Sequence, residues 1–245
     1  VIIATPFYEL KGFSPYISSL VHTVKMLSQL GIQYEFWELS GDSYVHRARN
    51  TICTKFLEDP DATDLFFIDS DMQWNPEAVV NMCLLPELIV GGSYPVKNNW
   101  DGWTSHPVFK EDAETGKNHP MGRPLQDGSA LIHASFLAAG FLRMKRAALE
   151  QYRDHYPEHR YNEPCADPGN PDREYIEFFA SQRDGKLLYG EDMMFSKRLR
   201  EMQMDMFIYT NVNMGHFGVK GWTGNYDQWL RGQGKKQDAY VESIN

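Results

Sequence analysis

Two aspartates separated by one residue follow a short apolar stretch of the chain. Asp64-Leu65-Phe66-Phe67-Ile68 runs directly into Asp69-Ser70-Asp71. A short apolar run without polar alternation indicates a strand buried on both faces of a parallel sheet, and ligands of such sheets bind beyond the carboxyl ends of the strands. Because hard divalent cations prefer carboxylate oxygens, Asp69 and Asp71 are candidate metal ligands. The alternative is that they only cap the strand before the helix start that Asn75-Pro76-Glu77 predicts.

A second acidic pair lies in Gly190-Glu191-Asp192, directly before the apolar residues of a predicted helix. One interpretation is that Glu191 and Asp192 only complement the positive N-terminal end of that helix. The other is that one of the two carboxylates projects into a cleft and acts as a general base. The sequence leaves both interpretations open.

His216 lies between two glycines in Gly215-His216-Phe217-Gly218, which we interpret as a loop. Glycine allows a backbone to bend, so that an imidazole can be directed at a metal ion. A structural histidine is the alternative. Arg47 and Arg49, at the start of a predicted helix, offer a similar choice: they hold a pyrophosphate or orient the carboxylates, or they form a solvated helix start.

The elements that must position these side chains follow from hydrophobic spacing. Apolar residues three or four apart predict helices over 15–30, 45–57, 76–85, 146–156 and 193–202. Short apolar runs predict strands over 1–6, 33–39, 64–68, 88–92 and 207–209, and a strand and turn over 136–144. The first three elements predict a parallel β-α-β unit with a right-handed crossover. Residues 98–128 and 157–172 lack periodicity and are interpreted as irregular excursions, the first with a hairpin as one option. Long loops of this kind often cover a site.

Composition limits the classes of protein to consider. The chain has 245 residues, of which 42% are hydrophobic, and this fits one soluble α/β domain. No apolar run is long enough to cross a bilayer, and the net charge of −9 argues against general binding of nucleic acid. Cys53, Cys83 and Cys165 lack C-x-x-C spacing and favour a reducing, cytoplasmic location. Because the chain begins with Val1, a removed leader or anchor remains possible.

These motifs, taken in order, resemble the GT-A class of nucleotide-sugar-dependent glycosyltransferases, most of all its compact bacterial and viral members. The resemblance rests on Thr5-Pro6, Ala48-Arg49-Asn50, Phe67-Ile68-Asp69-Ser70-Asp71, Gly140-Phe141-Leu142, Gly190-Glu191-Asp192-x-x-Phe195 and Gly215-His216-Phe217-Gly218. It implies an α/β, Rossmann-like fold with a mostly parallel central sheet flanked by helices and irregular acceptor-side loops. It also implies one domain, with a nucleotide-sugar-binding half (1–97), an acceptor-side half (98–230) and a polar tail (231–245).

The resemblance implies a role for each candidate metal ligand. Asp71 is expected to ligate Mn²⁺ or Mg²⁺, Asp69 to contact the ribose of the nucleotide or to share the metal, and His216 to be a late ligand. An imidazole among oxygen ligands favours manganese.

Donor and acceptor contacts are expected on the same basis. Arg49 is the candidate for holding Asp69 or the nucleotide, Thr5 and Pro6 for the wall around the base, and Lys220 for a second positive contact. Within the Glu191-Asp192 pair, Asp192 is the first choice for the base. The glycine that often follows this motif's helix is replaced by Met202-Gln203-Met204, and whether the transfer inverts or retains configuration stays open.

The expected activity is metal-dependent transfer of a hexose from a nucleotide-diphosphate sugar, such as a UDP- or GDP-sugar, to a hydroxyl of a glycan or glycoprotein. One alternative is a haloacid-dehalogenase-like phosphohydrolase, in which the first aspartate is the nucleophile. That family expects Thr or Val where this chain has Gln73. A non-catalytic module that binds a sugar or nucleotide is the other alternative.

Overall fold

A computed structural model describes residues 1–8, 11–98, 102–113, 116–163, 169–232 and 237–239. The helices are α1 (Ser14–Gln29), α2 (Val45–Glu58), α3 (Pro76–Leu84), α4 (Arg146–His155), α5 (Glu191–Glu201) and α6 (Tyr226–Leu230), with a 3-10 turn at Pro157–His159. The strands are β1 (Ile2–Phe7), β2 (Glu35–Ser40), β3 (Asp64–Ile68), β4 (Met72–Gln73), β5 (Ile89–Gly91), β6 (His106–Pro107), β7 (Phe109–Glu111), β8 (Asn118–Pro120), β9 (Gly122–Pro124), β10 (Ala130–Phe136), β11 (Phe141–Lys145), β12 (Arg160–Asn162), β13 (Glu174–Ile176), β14 (Gln182–Asp184), β15 (Leu187–Tyr189), β16 (Phe207–Tyr209), β17 (Asn213–Phe217), β18 (Gly221–Asn225) and β19 (Gln237–Ala239).

A central sheet runs in the order β2-β1-β3-β11-β5-β16-β10-β6, with β9 also paired to β10. β1 is parallel to β2 and β3, and β16 is parallel to β5. β11 lies antiparallel between β3 and β5, so β2, β1, β3, β5 and β16 share one direction. The predicted α/β fold with a mostly parallel central sheet flanked by helices is therefore confirmed.

Burial of β3 on both faces explains its unbroken apolar sequence. Leu65 and Phe67 pack with residues of α2, α4 and α5, whereas Phe66 and Ile68 pack with residues of α1 and α3. Alternate side chains of a strand point to opposite faces, so each layer of helices requires its own set of apolar residues. The strand ends at Ile68, and the two aspartates follow at the edge of the sheet.

A smaller antiparallel sheet, in the order β19-β18-β17-β4, adjoins this edge. It corrects one prediction: His216 lies in strand β17, opposite Met72 of β4, and not in a loop. A Cβ on Gly215 would come within 2.6 Å of the Phe217 ring and 2.9 Å of Gln73 Oε1. Glycine is therefore required for close packing of β17 against β4 rather than for a bend.

The irregular excursions contain short strands. β7 and β8 form a hairpin inside the first excursion. The strand and turn predicted over 136–144 correspond to the end of β10, the turn after it and β11. Cys165 and most of the predicted polar tail lie outside the described residues, while Cys53 and Cys83 are free thiols. Within the described part of the chain, no helix has the length and apolar character to cross a membrane.

Candidate functional site

The two aspartates after β3 are held by their backbone. The amide of Asp69 donates to the Gly140 carbonyl at 3.0 Å, and the amide of Met72 donates back to the Asp69 carbonyl at 3.1 Å. The amide of Phe217 donates to the Asp71 carbonyl at 2.8 Å, so that β17 is attached directly to the turn. This turn brings Asp71 beside His216, although the two residues lie far apart in the sequence.

The carboxylate of Asp71 faces the imidazole of His216. The distance from Asp71 Oδ1 to His216 Nε2 is 3.8 Å, and His216 Nδ1 lies 2.9 Å from the Pro95 carbonyl oxygen. A carbonyl only accepts, so Nδ1 carries the proton, and Nε2 presents a lone pair towards Asp71. Burial lowers the pKa of His216 in spite of the opposing charge of Asp71, which favours the neutral imidazole.

Asp71 Oδ1 is buried and has no hydrogen-bond partner among the residues that the structure describes. The other oxygen, Oδ2, forms an ion pair with the ammonium of Lys97. An unpartnered carboxylate oxygen facing a neutral imidazole nitrogen is a donor pair that fits a divalent cation. No group of three or more His, Cys, Asp and Glu side chains suited to a metal occurs in the described ranges. A cation here would therefore need phosphate oxygens or water as its other ligands.

Asp69 is paired with a buried arginine. Arg49 is only 3% exposed, and its Nη2 lies 2.9 Å from Asp69 Oδ1 and 3.1 Å from Asp69 Oδ2. Its Nη1 donates to Glu191 Oε1 at 2.6 Å. Burial disfavours the charged guanidinium, but the carboxylates of Asp69 and Glu191 more than compensate and raise the pKa of Arg49. Arg49 thus joins the end of β3 to the start of α5.

The acidic pair at the start of α5 is divided between two roles. Glu191 is bound to Arg49, whereas Asp192 Oδ1 accepts only a hydrogen bond from the Met193 amide, at 2.8 Å, in the described structure. Burial, together with the neighbouring charge of Glu191, raises the pKa of Asp192 to about 6, against the opposing effect of Arg49. A carboxyl group with a pKa near neutrality can accept and release a proton at physiological pH.

Three residues of this site were missed by the sequence analysis: Tyr94, Pro95 and Lys97. The Tyr94 hydroxyl accepts from the Gly140 amide at 3.2 Å, and its ring lies edge-on to His216 with 4.9 Å between the ring centroids. These residues follow β5 just as Asp69 and Asp71 follow β3, and parallel strands end at the same edge of the sheet. The same rule applied to β5 would therefore have identified them.

Gly140 lies between Tyr94 and Asp69. A Cβ at this position would come within 2.8 Å of Asp69 Oδ2 and would also collide with the Tyr94 hydroxyl. In this structure protein groups fill the space, and glycine is required for their positions.

The remaining predicted residues lie around the cluster. Thr5 is fully buried, and its hydroxyl shares a hydrogen bond of 2.6 Å with the Tyr16 hydroxyl, so this side chain belongs to the core under the site. Pro6 is half-buried at the same end of β1. Lys220 lies between β17 and β18, with its Nζ 5.8 Å from the centroid of the Trp222 ring. The contacts of these residues with a nucleotide stay predictions.

The chain matches no protein-family model, and no curated protein matches it in sequence. Among solved structures, the protein A197 from STIV is similar in fold, with a TM-score of 0.51 and 18% identity over 100% of this chain and 97% of that chain. A glycosyltransferase involved in the glycosylation of the major capsid of PBCV-1 is a weaker neighbour, with a TM-score of 0.32 and 16% identity over 71% of this chain and 79% of that chain. At these identities the comparison with A197 concerns the fold alone.

Proposed function

We propose that this chain is a metal-dependent glycosyltransferase that moves a hexose from a nucleotide-diphosphate sugar to a hydroxyl of a glycan or glycoprotein acceptor. The observation that carries the proposal is the convergence of Asp71 Oδ1, which lacks a hydrogen-bond partner among described residues, and His216 Nε2, 3.8 Å away. The cluster lies at the ligand-binding edge of an α/β sheet, where the GT-A resemblance predicts the metal and the diphosphate. A cytoplasmic location stays a prediction from the cysteines.

On the donor side, Asp71 and His216 would hold Mn²⁺ or Mg²⁺. When bound, the cation neutralises the charge that develops on the leaving nucleoside diphosphate. Asp69 is kept in one orientation by Arg49, which suits a carboxylate that must accept hydrogen bonds from a ribose or share the cation at a defined position. Fixed charges of this kind stabilise a transition state without reorganisation during the reaction.

On the acceptor side, Asp192 would remove the proton of the attacking hydroxyl. As that proton moves to Asp192, the acceptor oxygen forms a bond to the anomeric carbon, and the bond from that carbon to the diphosphate oxygen breaks. The pKa of about 6 leaves Asp192 ionised at neutral pH but more basic than an ordinary aspartate. Glu191 contributes to that basicity by its charge while Arg49 holds it in place.

The phosphohydrolase alternative needs Asp69 as a free nucleophile. Both carboxylate oxygens of Asp69 accept hydrogen bonds from Arg49 Nη2, at 2.9 and 3.1 Å. Such pairing lowers the nucleophilicity of a carboxylate, because the guanidinium charge offsets the carboxylate charge, while each oxygen keeps a lone pair for a further contact. This contact favours the transferase over the phosphohydrolase.

A thermal-shift screen of UDP-, GDP- and CMP-sugars with and without Mn²⁺ tests the proposal. At a hundred times Kd, a ligand adds about 2.7 kcal/mol of stability, which raises Tm by about 5–10 °C in a chain of this size. A transferase is stabilised by nucleotide and metal together. Stabilisation by phosphate analogues alone would indicate the phosphohydrolase, and stabilisation by free sugar without metal would indicate a binding module.

The ligand assignment is tested by Asp71→Ala, which we expect to abolish the Mn²⁺-dependent part of nucleotide binding. Asp205→Ala is a matched control, because Asp205 is an exposed aspartate 3.7 Å from a histidine, His133, at the surface. The control variant should bind metal and nucleotide as the unchanged chain does. Unaltered metal-linked affinity in Asp71→Ala would refute the role of Asp71.

A further inference from the structure

The segment 94–97, in which no site residue was predicted, contacts the site at three points. Tyr94 accepts from the Gly140 amide, the Pro95 carbonyl orients His216, and Lys97 pairs with Asp71. The segment is itself held in place by Thr104, whose amide donates to the Tyr94 carbonyl at 3.0 Å and whose hydroxyl accepts from the Tyr94 amide at 3.2 Å. The position of Lys97 is therefore built into the fold.

Lys97 contacts one oxygen of Asp71, the carboxylate that the proposed cation would also bind. Its ammonium contacts Asp71 Oδ2, while Oδ1 of the same carboxylate faces His216. Two cations on one carboxylate repel each other, because the distance between them is short and the site is partly desolvated. The ammonium and a divalent ion therefore compete for Asp71.

The side chain of Lys97 is flexible enough to exchange Asp71 for another anionic partner. A lysine ammonium is a compact charge on a flexible stem of four carbons, and it binds phosphate oxygens as readily as carboxylates. Gly218 lies beside this stem, and a Cβ there would approach Lys97 Cδ to 3.5 Å. The glycine keeps that flank of the stem free of a side chain.

We propose that the ammonium of Lys97 pairs with Asp71 until a divalent ion binds. The ammonium then moves away from Asp71 and pairs with an oxygen of the donor's diphosphate. This inference rests on the proposed function. It assigns to Lys97 both competition with the metal and recognition of the diphosphate. The two roles predict that removal of the ammonium changes two affinities in opposite directions.

The test is isothermal titration of the full chain with Mn²⁺ alone, and then with UDP and with GDP at saturating Mn²⁺. If the ammonium occupies Asp71 for about nine-tenths of the time, Lys97→Met should bind Mn²⁺ alone about tenfold more tightly. The same variant should bind the nucleoside diphosphate that the unchanged chain prefers about tenfold more weakly, because a charge-assisted contact is lost. Lys97→Arg should weaken binding of Mn²⁺ alone, because a guanidinium can engage both carboxylate oxygens.

Lys197→Met is the matched control. Lys197 Nζ makes the same kind of contact with a carboxylate, 2.5 Å from Glu201 Oε1, on the outer face of α5. It should leave both affinities unchanged.

The outcomes separate this inference from the proposed function. Weaker binding of both Mn²⁺ and nucleotide by Lys97→Met would mean that Lys97 only supports the structure of the site, and would overturn the inference. Unchanged Mn²⁺ affinity in Lys97→Met, with binding still abolished by Asp71→Ala, would also overturn it but leave the proposed function standing. Absence of Mn²⁺-dependent binding in the unchanged chain would overturn both.

Discussion

The two ends of β3 each carry an aspartate beside a buried arginine, yet the two arginines have different surroundings. At the start of the strand, Arg143 Nη1 lies 3.8 Å from Asp64 Oδ1, and Arg143 is 0% exposed. Beyond the other end, Arg49 is 3% exposed and pairs with Asp69. The same residue type, equally buried, therefore serves two purposes in one strand's neighbourhood.

Arg143 is surrounded mainly by neutral dipoles. Its guanidinium donates to the backbone carbonyls of Met82, Leu85, Glu87 and Leu88, at 2.5 to 3.5 Å. These carbonyls lie in the last turn of α3 and in the chain that follows it, where helical partners run out. Burial lowers the pKa of Arg143, and the charge of Asp64 does not fully offset it. The guanidinium satisfies carbonyls at the end of α3, and this arrangement presents no carboxylate to a ligand.

Arg49 is surrounded by ionised groups and aromatic rings. It pairs with Asp69 and Glu191, and its guanidinium carbon lies 6.0 Å and 5.8 Å from the ring centroids of Phe67 and Phe179. The partner charges raise its pKa despite burial, opposite in direction to Arg143. The carboxylates that Arg49 holds at the edge of the sheet fit the proposed site, whereas the carbonyls around Arg143 fit a structural role.

Arg143→Met should have the largest effect on stability. It removes the guanidinium donor from four carbonyls, two of which keep a backbone donor, and it leaves Asp64 buried without its ion pair. We therefore expect a loss of about 3–5 kcal/mol in the free energy of unfolding. Urea unfolding followed by tryptophan fluorescence measures it. Arg183→Met is the control, because Arg183 donates to the Gly185 carbonyl at 2.8 Å in an exposed hairpin. A loss below about 1 kcal/mol in Arg143→Met would contradict the structural role.

Asp192→Asn should lower the rate of transfer about a hundredfold while leaving donor binding intact, because an amide cannot accept the acceptor's proton. The rate is measured with the donor that the thermal-shift screen selects. Asp184→Asn, at an exposed position in β14, is the matched control. Equal loss of binding and rate in Asp192→Asn would mean that Asp192 is structural.

Arg49→Lys sharpens the comparison between the two arginines. A lysine keeps the charge but cannot bridge Asp69 and Glu191 with a planar fork, so we expect a loss of about 2 kcal/mol in unfolding free energy. Metal-dependent nucleotide binding should also weaken, because Asp69 is no longer held. Arg143→Lys should lose stability without a selective loss of nucleotide affinity. Selective loss in Arg143→Lys would remove the distinction between the two ends of β3.

The smallest predicted effect concerns pH. Because Asp192 has a pKa of about 6, the transfer rate should fall about tenfold between pH 7 and pH 5 as the base becomes protonated. The sign for stability is opposite: burial penalises the ionised form, so the cost of this group shrinks as the pH falls below about 6 and is lost below 3.8, the ordinary aspartate value. Nucleotide and Mn²⁺ binding measured at each pH separates this effect from loss of the metal. A rate that is constant from pH 7 to pH 5 would exclude Asp192 as the base.

The sequence predicted the residues that follow β3 better than those that surround it. The apolar run identified β3, and the sheet-edge rule identified Asp69 and Asp71, because both signals are local. Arg49 was also proposed to hold Asp69 or the nucleotide, and in the structure its Nη2 lies 2.9 Å from Asp69 Oδ1. Arg143 carried no such signal, because its partners are backbone carbonyls, which every residue possesses. Tyr94 and Lys97 were missed because they belong to a different strand end.

The amino-acid sequence alone predicted helices α1 to α5, strands β1, β2, β3, β5 and β16, and the side chains at their ends, since the hydrophobic spacing and the end of each of these elements are local properties. The tertiary structure alone decided which strand ends meet, because the order of strands and the pairing of β17 with β4 depend on contacts between distant segments. It also decided the chemistry of those ends. The neutral His216, the raised pKa of Asp192 and the pairing of Lys97 with Asp71 arise from burial and from neighbours that only the folded chain supplies.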